Sequence, residues 1–157
     1  MWYLSGRGYT SRITTTDPSQ SGNTYTVNRV FADEDMVATV FRNILSNSIK
    51  FSYEDSNIFI DVKEFETDNS YFVVGIQDFG VGMTPSTQNN LFKAKTISST
   101  HGTKKESGTG LGLIVVRDFL LKHNCKVWVK SEVGNGSTFY FTLPRWKTSE
   151  QKIDNVF

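Results

Sequence analysis

Between Ser107 and Leu113 the chain reads Ser-Gly-Thr-Gly-Leu-Gly-Leu, with Gly108, Gly110 and Gly112 leading directly into the apolar-periodic stretch Leu113 to Leu121. Alternate residues without a Cβ let the backbone take tight paths, and a helix starting there turns its free amides toward whatever the loop encloses. Such a junction holds an anion without a positive side chain, because first-turn N–H groups and the helix dipole both favour negative charge. A flexible loop that merely precedes a helix has the same composition, so the run takes its meaning from the segments around it.

The chain has 157 residues, 38% hydrophobic and 13% aromatic, enough for the core of one ordinary domain. Its 17 basic and 16 acidic residues leave a net charge of +1, which argues against a nucleic-acid duplex or an anionic membrane surface as partner. Cys125 is the only cysteine, so no intrachain disulfide forms, and with His101 and His123 far apart there is no zinc-type cluster. Apolar runs such as Tyr71 to Ile76 are too short to cross a bilayer, and residues Met1 to Arg7 lack the core of a signal peptide. A cytoplasmic location is expected.

Residues 5 to 23 are rich in Ser, Thr and Gly with neither helical nor strand period. They read as a linker, a domain edge or a cloning remnant, giving a boundary at residues 1–23. A strand is expected over Thr24 to Ala32, then a helix over Glu34 to Phe51 capped by Asp33, with Met36, Val37, Val40, Phe41, Ile44, Leu45 and Ile49 on one face. Asn57 to Phe65 and Ser70 to Phe79 read as paired strands, and Gly80 to Thr109 as a long irregular segment. After the second helix, Cys125 to Ser131 and Ser137 to Leu143 form another strand pair, and Trp146 to Phe157 a tail. This order suggests an α+β two-layer sandwich: one mixed, mostly antiparallel sheet with its helices on a single face, spanning residues 24–145.

On the first helix, Asn43, Asn47 and Lys50 share a stripe at the border of the apolar face. An asparagine oxygen is a hard neutral ligand suited to Mg²⁺ shared with phosphates, and a lysine one turn away neutralises a terminal phosphate; a solvated helix flank has the same residues. Asp78-Phe79-Gly80-Val81-Gly82-Met83 follows a strand end. A carboxylate there can accept from an exocyclic amine such as adenine's and repel the carbonyl of guanine, or it can simply serve a β-turn. Neither histidine sits in a catalytic context, and Ser107 and Cys125 have no paired base, so nucleophilic catalysis has no support.

Together, Asn43 to Phe51, Asp78 to Met83, Leu91-Phe92 and Gly108 to Leu113, in that order, resemble the four boxes of the histidine kinase catalytic and ATP-binding domain. Gly134 to Pro144 is similar to that domain's last hairpin, so the resemblance covers Thr24 to Pro144. It implies a Bergerat-type fold that binds ATP and Mg²⁺. Asn47, assisted by Asn43, would take the metal; Lys50 would approach the terminal phosphate, and Phe51 would sit beside the nucleotide. Asp78 would read adenine in a pocket shaped by Gly80, Gly82 and Met83. Residues 93 to 107 would form the ATP lid anchored by Phe92. Gly108, Thr109, Gly110, Leu111 and Gly112 would hold the phosphates, and Thr138 would lie near adenine.

The resemblance implies a protein-histidine kinase of a two-component system. Its phosphoacceptor histidine sits in a helical dimerisation hairpin that neither His101 nor His123 matches, so no autophosphorylation is expected, and a response regulator would be the indirect partner. Related ATPases of this fold carry a glutamate where this chain has Asn43, so hydrolysis is expected to be very slow. A non-catalytic nucleotide-sensing module, or an anti-sigma-type protein kinase, is the alternative.

Overall fold

The computed structural model describes residues 10–16, 25–93 and 111–146. Strands β1 (Thr10–Thr16) and β2 (Tyr25–Phe31) pair antiparallel as a separate two-stranded sheet. Helix α1 (Glu34–Phe51) follows, its first turn closed by Asp33, whose carboxylate accepts from the Met36 amide at 2.8 Å. That bond satisfies one of the amides that helix geometry leaves without an internal partner. Met36, Val37, Val40 and Ile44 bury one stripe of α1, as the apolar period requires.

The main sheet contains β3 (Phe59–Glu64), β4 (Tyr71–Asp78), β5 (Val127–Glu132) and β6 (Gly136–Pro144), in the order β3-β4-β6-β5. Its pairings are all antiparallel. Helix α2 (Pro85–Asn90) and helix α3 (Gly112–Lys122) complete the order. Across the central pair, Phe72 faces Leu143, Val74 faces Phe141 and Ile76 faces Phe139, and all of them are buried. Because side chains alternate along a strand, this set lines one face of the sheet, and α1 and α3 cover it. Phe41 of α1 meets Phe141 edge-on, with ring centroids 5.3 Å apart. On the opposite face Trp128 stacks on Tyr140.

The expected α+β sandwich is therefore present, with four differences. The four-stranded sheet is antiparallel throughout rather than mixed, and the first expected strand lies outside it as β2. That strand reaches the main sheet at its end, through a bridge between Val30 and Arg145 and a bond from the Trp146 amide to the Arg29 carbonyl at 2.8 Å. Residues 10–16, read as part of a linker, form β1, because the partner strand supplies the pairing that their composition does not advertise. Within the stretch expected to be irregular, α2 forms from a Thr84 cap and a proline in the first turn. No helix among the described residues is long and apolar enough to cross a membrane.

Candidate functional site

The carboxyl ends of α1 and β4 meet at one edge of the core. Ser52, just past the helix, bridges to Gly80, and the Val81 amide donates to the Phe51 carbonyl at 3.1 Å. Gly80 has to be glycine, since a Cβ there would come within 1.9 Å of the Phe51 carbonyl oxygen. Gly82, with φ +64°, passes against the Glu132 carbonyl, and the Val81 carbonyl accepts from the Gly134 amide at 2.8 Å. The loop after β4 is thus fastened both to α1 and to the β5–β6 turn. Met83 packs half-buried on the core, and its carbonyl accepts from Gln88 Nε2, which also donates to Ser131.

At the head of that loop Asp78 is only 2% exposed. Its Oδ1 accepts from the Ser137 amide at 3.1 Å, and the Gly80 amide also bonds the carboxylate. Burial pushes its pKa above the ordinary carboxylate value, and the two amides oppose that rise only in part. A carboxylate kept in so dry a place, with no cation paired to it among the described residues, retains acceptor capacity for a donor brought by a ligand.

Asn43 and Asn47 are half-buried on α1, and each donates its side-chain nitrogen to the carbonyl one turn earlier, at 2.8 and 2.9 Å. With the nitrogens so engaged, the oxygens are the ends left to accept. The Asn43 oxygen lies against Gly112 at the start of α3, where an added Cβ would come within 2.6 Å of it. Lys50 holds its ammonium 5.1 Å from the ring centroid of Phe51. Leu111 precedes α3 and supplies no side-chain cap to its first turn. Arg117 of α3 donates to the Phe92 carbonyl at 2.6 Å, joining the chain before residue 94 to the helix that starts after residue 111. Gly108, Thr109 and Gly110, with residues 94–107 of the expected lid, lie outside the described residues.

One expected neighbour is on the wrong face. Thr138 pairs with Gln77 and Lys130, and its methyl lies near Gly75 and Tyr140 on the side of the sheet away from α1. Ser137, one residue earlier, shares the face of Asp78 and is buried, its hydroxyl bonded to that of Ser131 at 3.0 Å. The two-residue period through Phe139, Phe141 and Leu143 carries this signal, because it puts Ser137 inward and Thr138 outward.

The arrangement collects a buried acceptor, two amide oxygens, a lysine and a helix start around one edge. Among the described residues no group of three or more His, Cys, Asp and Glu could hold a metal ion, so a cation here would depend on amide oxygens together with ligand oxygens. Such a donor set fits Mg²⁺ delivered on a polyphosphate.

Residues 32–147 match the family described as histidine kinase-, DNA gyrase B- and HSP90-like ATPase. An adaptive-response sensory kinase, SasA, of Prochlorococcus marinus strain AS9601 is 36% identical over 129 residues, covering 81% of this chain and 33% of the relative. Among solved structures, the mycobacterial sensor histidine kinase MprB superposes with a TM-score of 0.65 at 23% identity, over 78% of this chain and 79% of that one. Full-length ShkA in complex with AMPPNP gives 0.62 at 23% identity, over 77% of this chain and 24% of that one. The chain belongs to the histidine kinase-, gyrase B- and HSP90-like ATPase family, and its curated relatives include adaptive-response sensory kinases and a sporulation kinase. It spans a third or less of the length of the curated relatives it matches.

Proposed function

We propose that this chain is the ATP-binding, phosphoryl-donating module of a cytoplasmic sensor histidine kinase, and that it hands the terminal phosphate to a histidine on a separate helical hairpin. The observation that carries this reading is Asp78, an almost fully buried carboxylate oriented by two backbone amides, with no cation paired to it among the described residues. It accepts from the exocyclic amine of adenine, while guanine would set a carbonyl against it. The ShkA complex with AMPPNP is consistent with an adenine nucleotide on this fold.

Asn47 offers its oxygen to Mg²⁺, which when bound neutralises phosphate charge and fixes the phosphate chain. Asn43 supports it from the α1–α3 crossing. Lys50 approaches the terminal phosphate, Phe51 lies beside the nucleotide, and the backbone from Gly108 through Gly112 receives the remaining phosphates at the start of α3. No residue of this set is a general base, so rate would come from positioning and electrostatics once an acceptor docks. A response regulator would then draw the phosphoryl group from that acceptor.

The test is to mix the chain with the dimerisation hairpin of a related sensor kinase and terminally labelled ATP. Label on the hairpin histidine, abolished by Asn47→Ala, supports the donor role. Nucleotide binding with no transfer to any hairpin favours a sensing module instead.

A further inference from the structure

Ser48 is fully buried, and among the described residues its Oγ is the one buried side-chain polar atom without a hydrogen-bond partner. A hydroxyl in that state is costly: it has given up water and gained nothing, and inside a helix alanine would serve better. The position of Ser48 supplies a reason.

Ser52 bridges to Gly80, which fixes the relative height of α1 and β4. Going back one turn of helix from Ser52, a rise of about 6 Å, reaches Ser48. Going back two residues of strand from Gly80, a rise of about 6.6 Å, reaches Asp78. Ser52 donates from both its amide and its hydroxyl to the Ser48 carbonyl, so that last turn is tightly held. On α1 the buried stripe passes from Ile44 to Ser48, and on β4 it passes from Ile76 to Asp78. At the same level, then, both walls change from apolar to polar. One of the two groups is a desolvated carboxylate, the other a hydroxyl with no partner. Ser137, the third polar side chain here, already has its hydroxyl bonded to Ser131.

We infer that Ser48 is a second base-reading residue: its hydroxyl donates, directly or through one water, to ring nitrogen N1 of adenine, next to the amine that Asp78 accepts from. This rests on the adenine reading of Asp78. The pair matches the edge of adenine, a donor amine beside an acceptor nitrogen, in complementary order.

The test is Ser48→Ala in this chain, with calorimetric affinities for ATP with Mg²⁺ and for the ATP analogue whose N1 is replaced by C–H. The expected result is a loss of about three- to tenfold in ATP affinity, the range of one neutral hydrogen bond, with no loss for the analogue. The ligand-free variant should melt no lower than the parent, because no protein bond is removed. Unchanged ATP affinity in Ser48→Ala, or an equal loss for both nucleotides, overturns the inference. Asp78→Asn run alongside separates the two claims. If it weakens ATP binding while Ser48→Ala does not, only the role of Ser48 fails; if Asp78→Asn also binds ATP unchanged, the adenine reading itself fails.

Discussion

The side-chain oxygen of Asn43 occupies the space that a side chain at Gly112 would need, so that the first helix and the third meet at an amide and a residue with no side chain. A methyl at residue 112 would come within 2.6 Å of that oxygen, and the amide nitrogen of Asn43 is already bonded to the Thr39 carbonyl, which limits its freedom to turn away. Gly112→Ala should therefore behave differently in the presence and absence of the Asn43 side chain. In a double-mutant cycle with Asn43→Ala, urea unfolding should give a coupling of about 1 kcal/mol or more, whereas independent sites would add.

Asp78 predicts opposite effects on stability and on binding. Its carboxyl is held above the ordinary pKa by burial, so the native state binds a proton more readily than the unfolded chain does. The contribution of this group to stability is therefore greatest in acid and is lost as pH rises from the ordinary carboxylate range through the raised value. Asp78→Asn should resist urea at least as well as the parent at neutral pH, and that advantage should shrink on acidification. Its affinity for ATP should fall by about 1–3 kcal/mol, the scale of a buried hydrogen bond to a charged group. Calorimetry and urea titrations at several pH values check both halves.

Cys125 is buried and its thiol is pushed up to about 11 by loss of water around it. Since the thiolate is the reactive form, iodoacetamide should label native protein far more slowly than urea-unfolded protein. Fast native labelling, read by mass spectrometry, would contradict the packing of the α3–β5 connection.

Arg117 ties the Phe92 carbonyl to α3. Arg117→Ala should lower ATP affinity severalfold while shifting the melting midpoint only slightly, because a part-buried hydrogen bond contributes about 1 kcal/mol. An unaltered affinity by calorimetry would show that the tie between Phe92 and α3 does not bear on nucleotide binding.

The glycine at residue 80 is the most restrictive position in the loop after β4. Gly80→Ala would drive a methyl into backbone, the Phe51 carbonyl, which cannot rotate aside as a side chain does. A loss of about 2 kcal/mol or more in unfolding free energy is expected.

Helix α1 was legible to the residue, because its apolar stripe and the Asp33 cap both speak in local sequence. The strands of the main sheet were legible for the same reason. Strand β1 was not: Ile13 is the only aliphatic residue in Thr10–Thr16, so no alternation marks it, and its structure comes from pairing with β2. Helix α2 holds no apolar residue besides its first-turn proline and depends on that proline and its cap. At the site, Asp78, Asn43 and Asn47 stood out by type and spacing. The resemblance points to Thr138, whereas a count by twos back from Leu143 puts Ser137 on the inner face. Ser48 gave no signal, because a serine between Asn47 and Ile49 looks ordinary until its burial is known.

Because α1 carries Val40 and Ile44 into the core and Asn43 and Asn47 along the adjoining edge, a saturation library of this one helix should separate into two tolerance maps. Substitutions on the first stripe would deplete the protein from cells whatever ligand is supplied. Those on the second would leave abundance intact and weaken nucleotide binding, so comparing the two selections would draw the boundary between scaffold and site along eighteen residues of a single element.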